Sequence, residues 1–222
     1  MRVGVWSKKY LRLEINGKAI LSSSMFKISF IQDSPNFDTR EYQPRQKIKS
    51  LIIDPSSFDI INQISTTEPY KEDNSLMFFT DGSKTEMGTG CSRCAFENGI
   101  KVLKCKGKLE KFHTVFQIEL TGLREAIIRA SQGNEITKIW TNSLSSVMAV
   151  LDPHTPHQLV RDIQSLLTQN RNNLVRWIKA HAGYRGNEEA DTLAKNAITE
   201  GVVRKALNPR FELKQHLQEL LF

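Results

Sequence analysis

The chain has 222 residues, 39% of them apolar, and 31 Lys and Arg against 24 Asp and Glu give it a formal charge of +7. That length holds one well-buried domain with an extension, or two small domains, and the composition excludes collagen, coiled-coil and disulfide-scaffold classes. No run of about 18 apolar residues occurs, and Arg2, Lys8, Lys9, Arg12 and Lys18 interrupt the N-terminus, so the sequence predicts a soluble intracellular chain with no membrane partner and no signal peptide.

Residues 1–75 show short apolar pieces, Leu11–Ile15, Met25–Ile31 and Ile48–Ile53, between polar stretches containing Pro35, Pro44 and Pro55, and they name no fold. The run Ser65–Asn74 has the composition of a linker or turn, which sets a boundary at residue 75. Leu76–Thr80 reads as a strand ending at Asp81-Gly82-Ser83. Gly88–Phe96 and Ile100–Cys105 read as two more, joined across Glu97-Asn98-Gly99, and Asn-Gly is the strongest short hairpin signal.

The period then changes. Phe116, Leu120, Leu123 and Ile127 recur at helical spacing from about Thr114 to Ser131, and Gly133-Asn134 ends that helix. Ile136–Trp140 is a fourth strand, followed by Ser143 as an N-cap and a helix Leu144–Leu151 that stops before Pro153. His157–Gln169 is amphipathic through Leu159, Ile163 and Leu166, and Leu174–Ile178 is a fifth strand. After a loop from Gly183 to Gly186, Asn187 is placed to cap a last helix with an apolar face of Ala190, Leu193, Ala194, Ala197 and Ile198. The order βββαβααβα, with right-handed crossovers, predicts an α/β fold in three layers: a mixed five-stranded sheet with helices on both faces over residues 76–200. Residues 201–222 form a tail in which Leu213, Leu217 and Leu220 or Leu221 predict a helix after Pro209.

The three cysteines, Cys91, Cys94 and Cys105, lie in predicted strands, where positions i and i+3 face opposite ways, so reduced core thiols are expected rather than a zinc pair. Phe78, Phe79, Trp140 and Trp177 read as core aromatics. Lys101, Lys104, Lys106, Lys108 and Lys111 make the densest basic stretch, either a lysine-guarded edge strand or a phosphate-tracking surface.

Asp81 after the first strand and Asn142 after the fourth become neighbours if those strands run parallel, because ligands in open α/β sheets gather at the carboxyl ends of the strands. Glu119 on the first long helix and Asp191 on the last are directed to the same end. The stretches FFTDGSK (78–84), VFQIEL (115–120), WTNSLSSV (140–147) and IKAHAGYRGNEEADTLAK (178–195) resemble the type 1 ribonuclease H family, and more narrowly the RNase H domain at the end of non-LTR retrotransposon polyproteins. The resemblance covers roughly residues 76–200 and implies an RNase H-like fold. It also implies endonucleolytic cleavage of the RNA strand of an RNA–DNA hybrid by two Mg²⁺ ions, for which Mn²⁺ substitutes, and a possible association with a reverse transcriptase module.

Carried over to this sequence, the resemblance makes Asp81 the ligand bridging both ions, puts Glu119 and Asn142 in the ions' shells, and makes Asp191 the second ion's carboxylate. His181 takes the place of a mobile histidine that assists proton transfer or product release. Backbone near Gly82 and Ser83 is expected to meet the 2′-hydroxyls, Thr114 a DNA phosphate, and Gln117 is the nearest side-chain amide. The family pattern after the fourth strand is Thr-Asp-Ser, whereas this chain has Thr141-Asn142-Ser143. An amide ligates without charge, leaving three formal negatives where the family has four, so weaker metal binding and slower hydrolysis are expected. The alternatives are a catalytically impaired hybrid-binding module and an inert remnant.

Overall fold

A computed structural model describes residues 59–204 and the backbone of three strands nearer the N-terminus: β1 (Arg2–Val3), β2 (Arg12–Ile15) and β3 (Lys18–Leu21). These belong to a unit spanning Met1–Pro44 and pair antiparallel in the order β1-β2-β3. β2 coincides with the apolar piece Leu11–Ile15. The pieces Met25–Ile31 and Ile48–Ile53 and the helix expected after Pro209 lie outside the described residues.

In the second unit, a 3-10 turn Asp59–Gln63 and β4 (Ile64–Ser65) precede three long strands, β5 (Met77–Thr85), β6 (Gly88–Glu97) and β7 (Ile100–Leu109). Asn98 and Gly99 form the two-residue turn between β6 and β7, both at positive φ (51° and 70°), the backbone for which Asn-Gly is suited. Next come α1 (Val115–Ala130), β8 (Thr137–Thr141), α2 (Leu144–Leu151), α3 (Gln158–Gln169), β9 (Asn173–Trp177), α4 (Arg185–Glu200) and β10 (Val202–Val203). The sheet order is β10-β7-β6-β5-β8-β9-β4, with β5, β6 and β7 antiparallel and β5, β8, β9 and β4 parallel.

The expected five strands form the centre of this sheet, and the correction is at its edges, where β4 and β10 bring the number to seven. Each is two residues long, too short to carry a periodic signal. β10 covers β7 at Gly107 and Lys108, while Lys106 pairs with Glu200 and Lys101 with Glu189, so α4 neutralises part of the lysine row.

Alternation along the strands puts the two larger core clusters on opposite faces of the sheet, and Cys91, Leu109 and Ile118 form a third, smaller one. Phe78 and Ile139 face one side with Leu120, Leu123, Ile127, Val147 and Ile163, under α1, α2 and α3. Phe79 and Trp140 face the other with Cys94, Phe96, Ile178, Ala190 and Leu193, under α4. Cys91 and Cys94 fall in different clusters, as their spacing predicts, and burial pushes both thiols up to about 12. All three cysteines are free. Trp177 is only half-buried, and its Nε1 donates to the Asn142 carbonyl at 3.1 Å.

Two local expectations change. α4 starts at Arg185 with Tyr184 as N-cap, and Asn187 is buried within its first turn instead of capping it. The earlier start lays Gly186 on the Phe79 ring so closely that a Cβ there would sit 2.3 Å from a ring carbon. The boundary set at residue 75 is crossed by continuous contacts: Ile60 and Ile64 are buried in the α1 cluster, and Gln63 Nε2 donates to the carbonyls of Asn170 and Asn173. The polar composition that reads as a linker is used in ion pairs, Glu68 with Arg176 and Lys138, and Lys138 with Asp73. No helix among the described residues is long and apolar enough to cross a membrane.

Candidate active site

Parallel pairing of β5 with β8 sets Thr80 opposite Thr141, so the next residues, Asp81 and Asn142, are adjacent. Asn142 Nδ2 donates to Asp81 Oδ2 at 3.1 Å, and the Gly82 N–H donates to Asp81 Oδ1 at 2.7 Å. α1 crosses β5 where Gly82 leaves room: a Cβ there would lie 3.0 Å from Glu119 Cδ and 3.1 Å from the Glu119 nitrogen. Glu119 is thereby set beside Asp81, and both carboxyls are buried, 7% and 5% exposed.

Burial first, then the neighbouring Asp81 charge, pushes the Glu119 carboxyl up to about 9. Asp81 is pushed up to about 6 by burial, helped by the charge of Asp191 and opposed by the donors Gly82, Asn142 and Glu119. The two carboxyls thus resist ionising together, and both are held above the ordinary carboxylate range. Glu119 Oε2 is buried without a hydrogen-bond partner.

The other predicted site residues, the ligand Asp191 and the catalytic His181, form an outer rim. Asp191 on α4 is half-buried and accepts from Lys195 Nζ at 2.7 Å, one helical turn on. His181 is exposed, in the loop before α4, with a left-handed backbone (φ 53°). Glu188, three residues before Asp191 and on the same helix face, completes a group whose ligand atoms all lie within 4.8 Å of one another. Its Oε1 is also buried and unpartnered. Glu188 was absent from the expected set; its signal was the i, i+3 spacing to Asp191 in Asn187-Glu188-Glu189-Ala190-Asp191.

Thr114 and Gln117 stand together at the start of α1 as a capping box: Thr114 Oγ1 accepts from the Gln117 N–H at 3.3 Å, and Gln117 Oε1 accepts from the Thr114 N–H at 3.0 Å. Thr114 is exposed and Gln117 buried. Gly82 and Ser83 are half-exposed on β5 as it leaves the carboxylates. Ser143 occupies the N-cap of α2 as expected, but its hydroxyl meets those of Ser145 and Ser146 rather than a backbone N–H.

Unpartnered carboxylate oxygens on Glu119 and Glu188, with two carboxyls pushed to higher pKa by burial and by the charges of Asp81 and Asp191, suit a hard divalent cation. Asp81, Glu119 and Asn142 would hold it on the inner side, and Asp191, Glu188 and His181 on the rim. Asn142 would offer a cation its Oδ1, the amide oxygen left over while Nδ2 donates to Asp81.

Residues 73–199 match the family described as RNase H. No curated protein matches. Among solved structures, the foamy viral protease-reverse transcriptase in complex with an RNA/DNA hybrid is similar with a TM-score of 0.52 and 17% identity, over 61% of this chain and 22% of that one. The native prototype foamy virus protease-reverse transcriptase gives 0.51 and 18%, over 63% and 23%. The foamy viral enzyme in complex with dsDNA gives 0.50 and 17%, over 58% and 96%. This chain thus spans less than a quarter of the first two, and identities this low show a shared fold.

Proposed function

The chain belongs to the RNase H family, and from that premise we propose that it cleaves the RNA strand of RNA–DNA hybrids endonucleolytically, in a divalent-cation-dependent reaction that Asn142 slows. The observation that carries this reading is the buried Asp81–Glu119 pair beside Asn142, facing Asp191 across the end of β5. In the ionised form, such an excess of inward carboxylates is unfavourable unless something positive binds there. Bound Mg²⁺ ions, or Mn²⁺ in their place, supply Lewis-acid activation of the attacking water and stabilise the leaving 3′ oxygen.

The chain's own groups do the rest. Asp81 and Glu119 would serve as ligands in their ionised form, any proton they hold passing to solvent as the cation enters. Asn142 offers an oxygen without charge, so the inner site attracts cations less than a fourth carboxylate would. The His181 imidazole, on its exposed turn, is available to hold or deliver a proton at the leaving 3′ oxygen. Gly82, Ser83, Thr114 and Gln117 line the approach to the carboxylates, where the ribose and phosphate backbone would lie. The division proposed is a catalytic unit at 76–200, an extension at 1–75 whose last part braces it, and a tail at 201–222. A neighbouring reverse transcriptase module is the proposed setting.

A hybrid-binding module that no longer turns over is the second reading. It is favoured by the closed hydrogen bonding of the inner site, where Asn142 and Gly82 both donate to Asp81. End-labelled RNA–DNA hybrid, incubated with the full chain in Mg²⁺, in Mn²⁺ and in EDTA beside a Glu119→Gln blank, separates them. Metal-dependent RNA fragments above the blank support the nuclease. Retention of the hybrid with an intact RNA strand supports the module, and neither result supports the remnant.

A further inference from the structure

The rim carries three of the groups suited to a cation, and His181 sits on a turn with left-handed backbone at His181 and Gly183. At its start the turn is anchored by Ile178, buried and donating its N–H to the Thr141 carbonyl at 2.9 Å. Its other end is Tyr184, the N-cap of α4, whose side chain makes no capping hydrogen bond. Tyr184 is held instead by a ring contact: Tyr70 lies with its ring centre 4.7 Å from that of Tyr184.

Tyr70 comes from the segment before β5, three residues ahead of the RNase H match. It also meets Trp140 edge-on at 5.1 Å and Phe79 at 6.0 Å, and Phe79 is the ring on which Gly186 of α4 rests. The backbone on either side of Tyr70 is tied down. Glu68 pairs with Arg176 and Lys138, Asp73 reaches Lys138 at 3.7 Å, and the Asn74 carbonyl accepts from the Asn98 N–H at 3.3 Å. One aromatic side chain, fixed on both flanks, thus covers the cluster on which the His181 turn and the first turn of α4 are built.

We propose that Tyr70 is a positioning residue for the cation-binding rim: through Tyr184 and Phe79 it holds the His181 turn and the start of α4 so that His181, Glu188 and Asp191 converge. The proposal rests on the reading of that rim as a cation site. It makes the stretch 68–74 a working part of the site and predicts that a chain trimmed to the family match loses cation affinity before it loses its fold.

The test uses the full chain and follows paramagnetic broadening of the His181 imidazole signals by Mn²⁺, with amide exchange of residues 180–186 read in parallel. Tyr70→Ala is expected to raise the Mn²⁺ concentration for half-broadening by about ten-fold or more, and Tyr70→Phe, which keeps the ring, to stay near wild type. Ile163→Ala, in the buried cluster on the other face of the sheet, controls for lost stability and should leave the Mn²⁺ response unchanged. A wild-type response from Tyr70→Ala, or an equal shift from Ile163→Ala, overturns the proposal. If Mn²⁺ fails to broaden His181 in the wild type, the cation reading falls, and exchange decides the positioning claim. Acceleration of about ten-fold at 180–186 in Tyr70→Ala alone upholds it, and unchanged exchange overturns it.

Discussion

The inner and outer halves of the site are built on different principles. Asp81, Glu119 and Asn142 are fixed by sheet register and by a helix pressed on Gly82, so their geometry is set by backbone and their carboxyls carry the electrostatic cost of burial. His181, Glu188 and Asp191 stand on a turn and a helix start, better solvated, with Lys195 on Asp191 and, in the positioning role proposed for Tyr70, held by a ring contact made from outside. The difference teaches that charge is stored where the backbone is rigid and adaptability is left at the rim. A substitution inside should change chemistry and stability together, and one at the rim carboxylate Glu188 should change affinity alone.

The largest expected effect is inside. Glu119→Gln removes the carboxylate while keeping its shape, and under the proposed activity cleavage should fall to the level seen in EDTA. Cleavage persisting in that variant would break the contrast at its strongest point. Next is the rim: Glu188→Gln should raise the Mn²⁺ needed for half-maximal cleavage by about ten-fold while leaving the maximal rate nearly intact. A loss of maximal rate with unchanged metal response would place Glu188 with the inner group.

The smallest effect is on stability, and its sign follows from the raised carboxyls. In the metal-free fold Asp81 and Glu119 hold protons up to about 6 and about 9, whereas in the unfolded chain they release them near pH 4. Between those limits the folded state binds more protons, so stability falls as pH rises. The metal-free melting temperature should drop by about 5 °C from pH 5 to pH 8.5, and added Mg²⁺ should restore it. Glu119→Gln should flatten most of that slope, while Glu188→Gln should leave it in place.

Much of the inner half was legible in the sequence because it depends on patterns that extend over many residues. The Asn98-Gly99 turn, the helical recurrence of Phe116, Leu120, Leu123 and Ile127, and the strand Ile136–Trp140 suffice to bring Asp81 next to position 142. The rim was less legible because its determinants are contacts between distant segments. Nothing local in residues 65–74 shows that Tyr70 meets Tyr184, or that Glu68 finds Arg176, and polar composition there reads as a linker. The start of α4 was misplaced for the same reason, since Gly186 lies on Phe79, far away in sequence. Thr114 and Gln117 were expected at the substrate by resemblance, and they are also a capping box, visible as a Thr and a Gln three residues apart.

The most direct measurement is the rate of RNA cleavage in a labelled RNA–DNA hybrid by the full chain and by Asn142→Asp, side by side across a Mg²⁺ titration. If an uncharged ligand at position 142 is what slows an otherwise intact site, Asn142→Asp should cut faster by about ten-fold or more and saturate at lower Mg²⁺. Equal rates and equal Mg²⁺ dependence in the two proteins would contradict it, because the fourth negative charge would then have no part in the site.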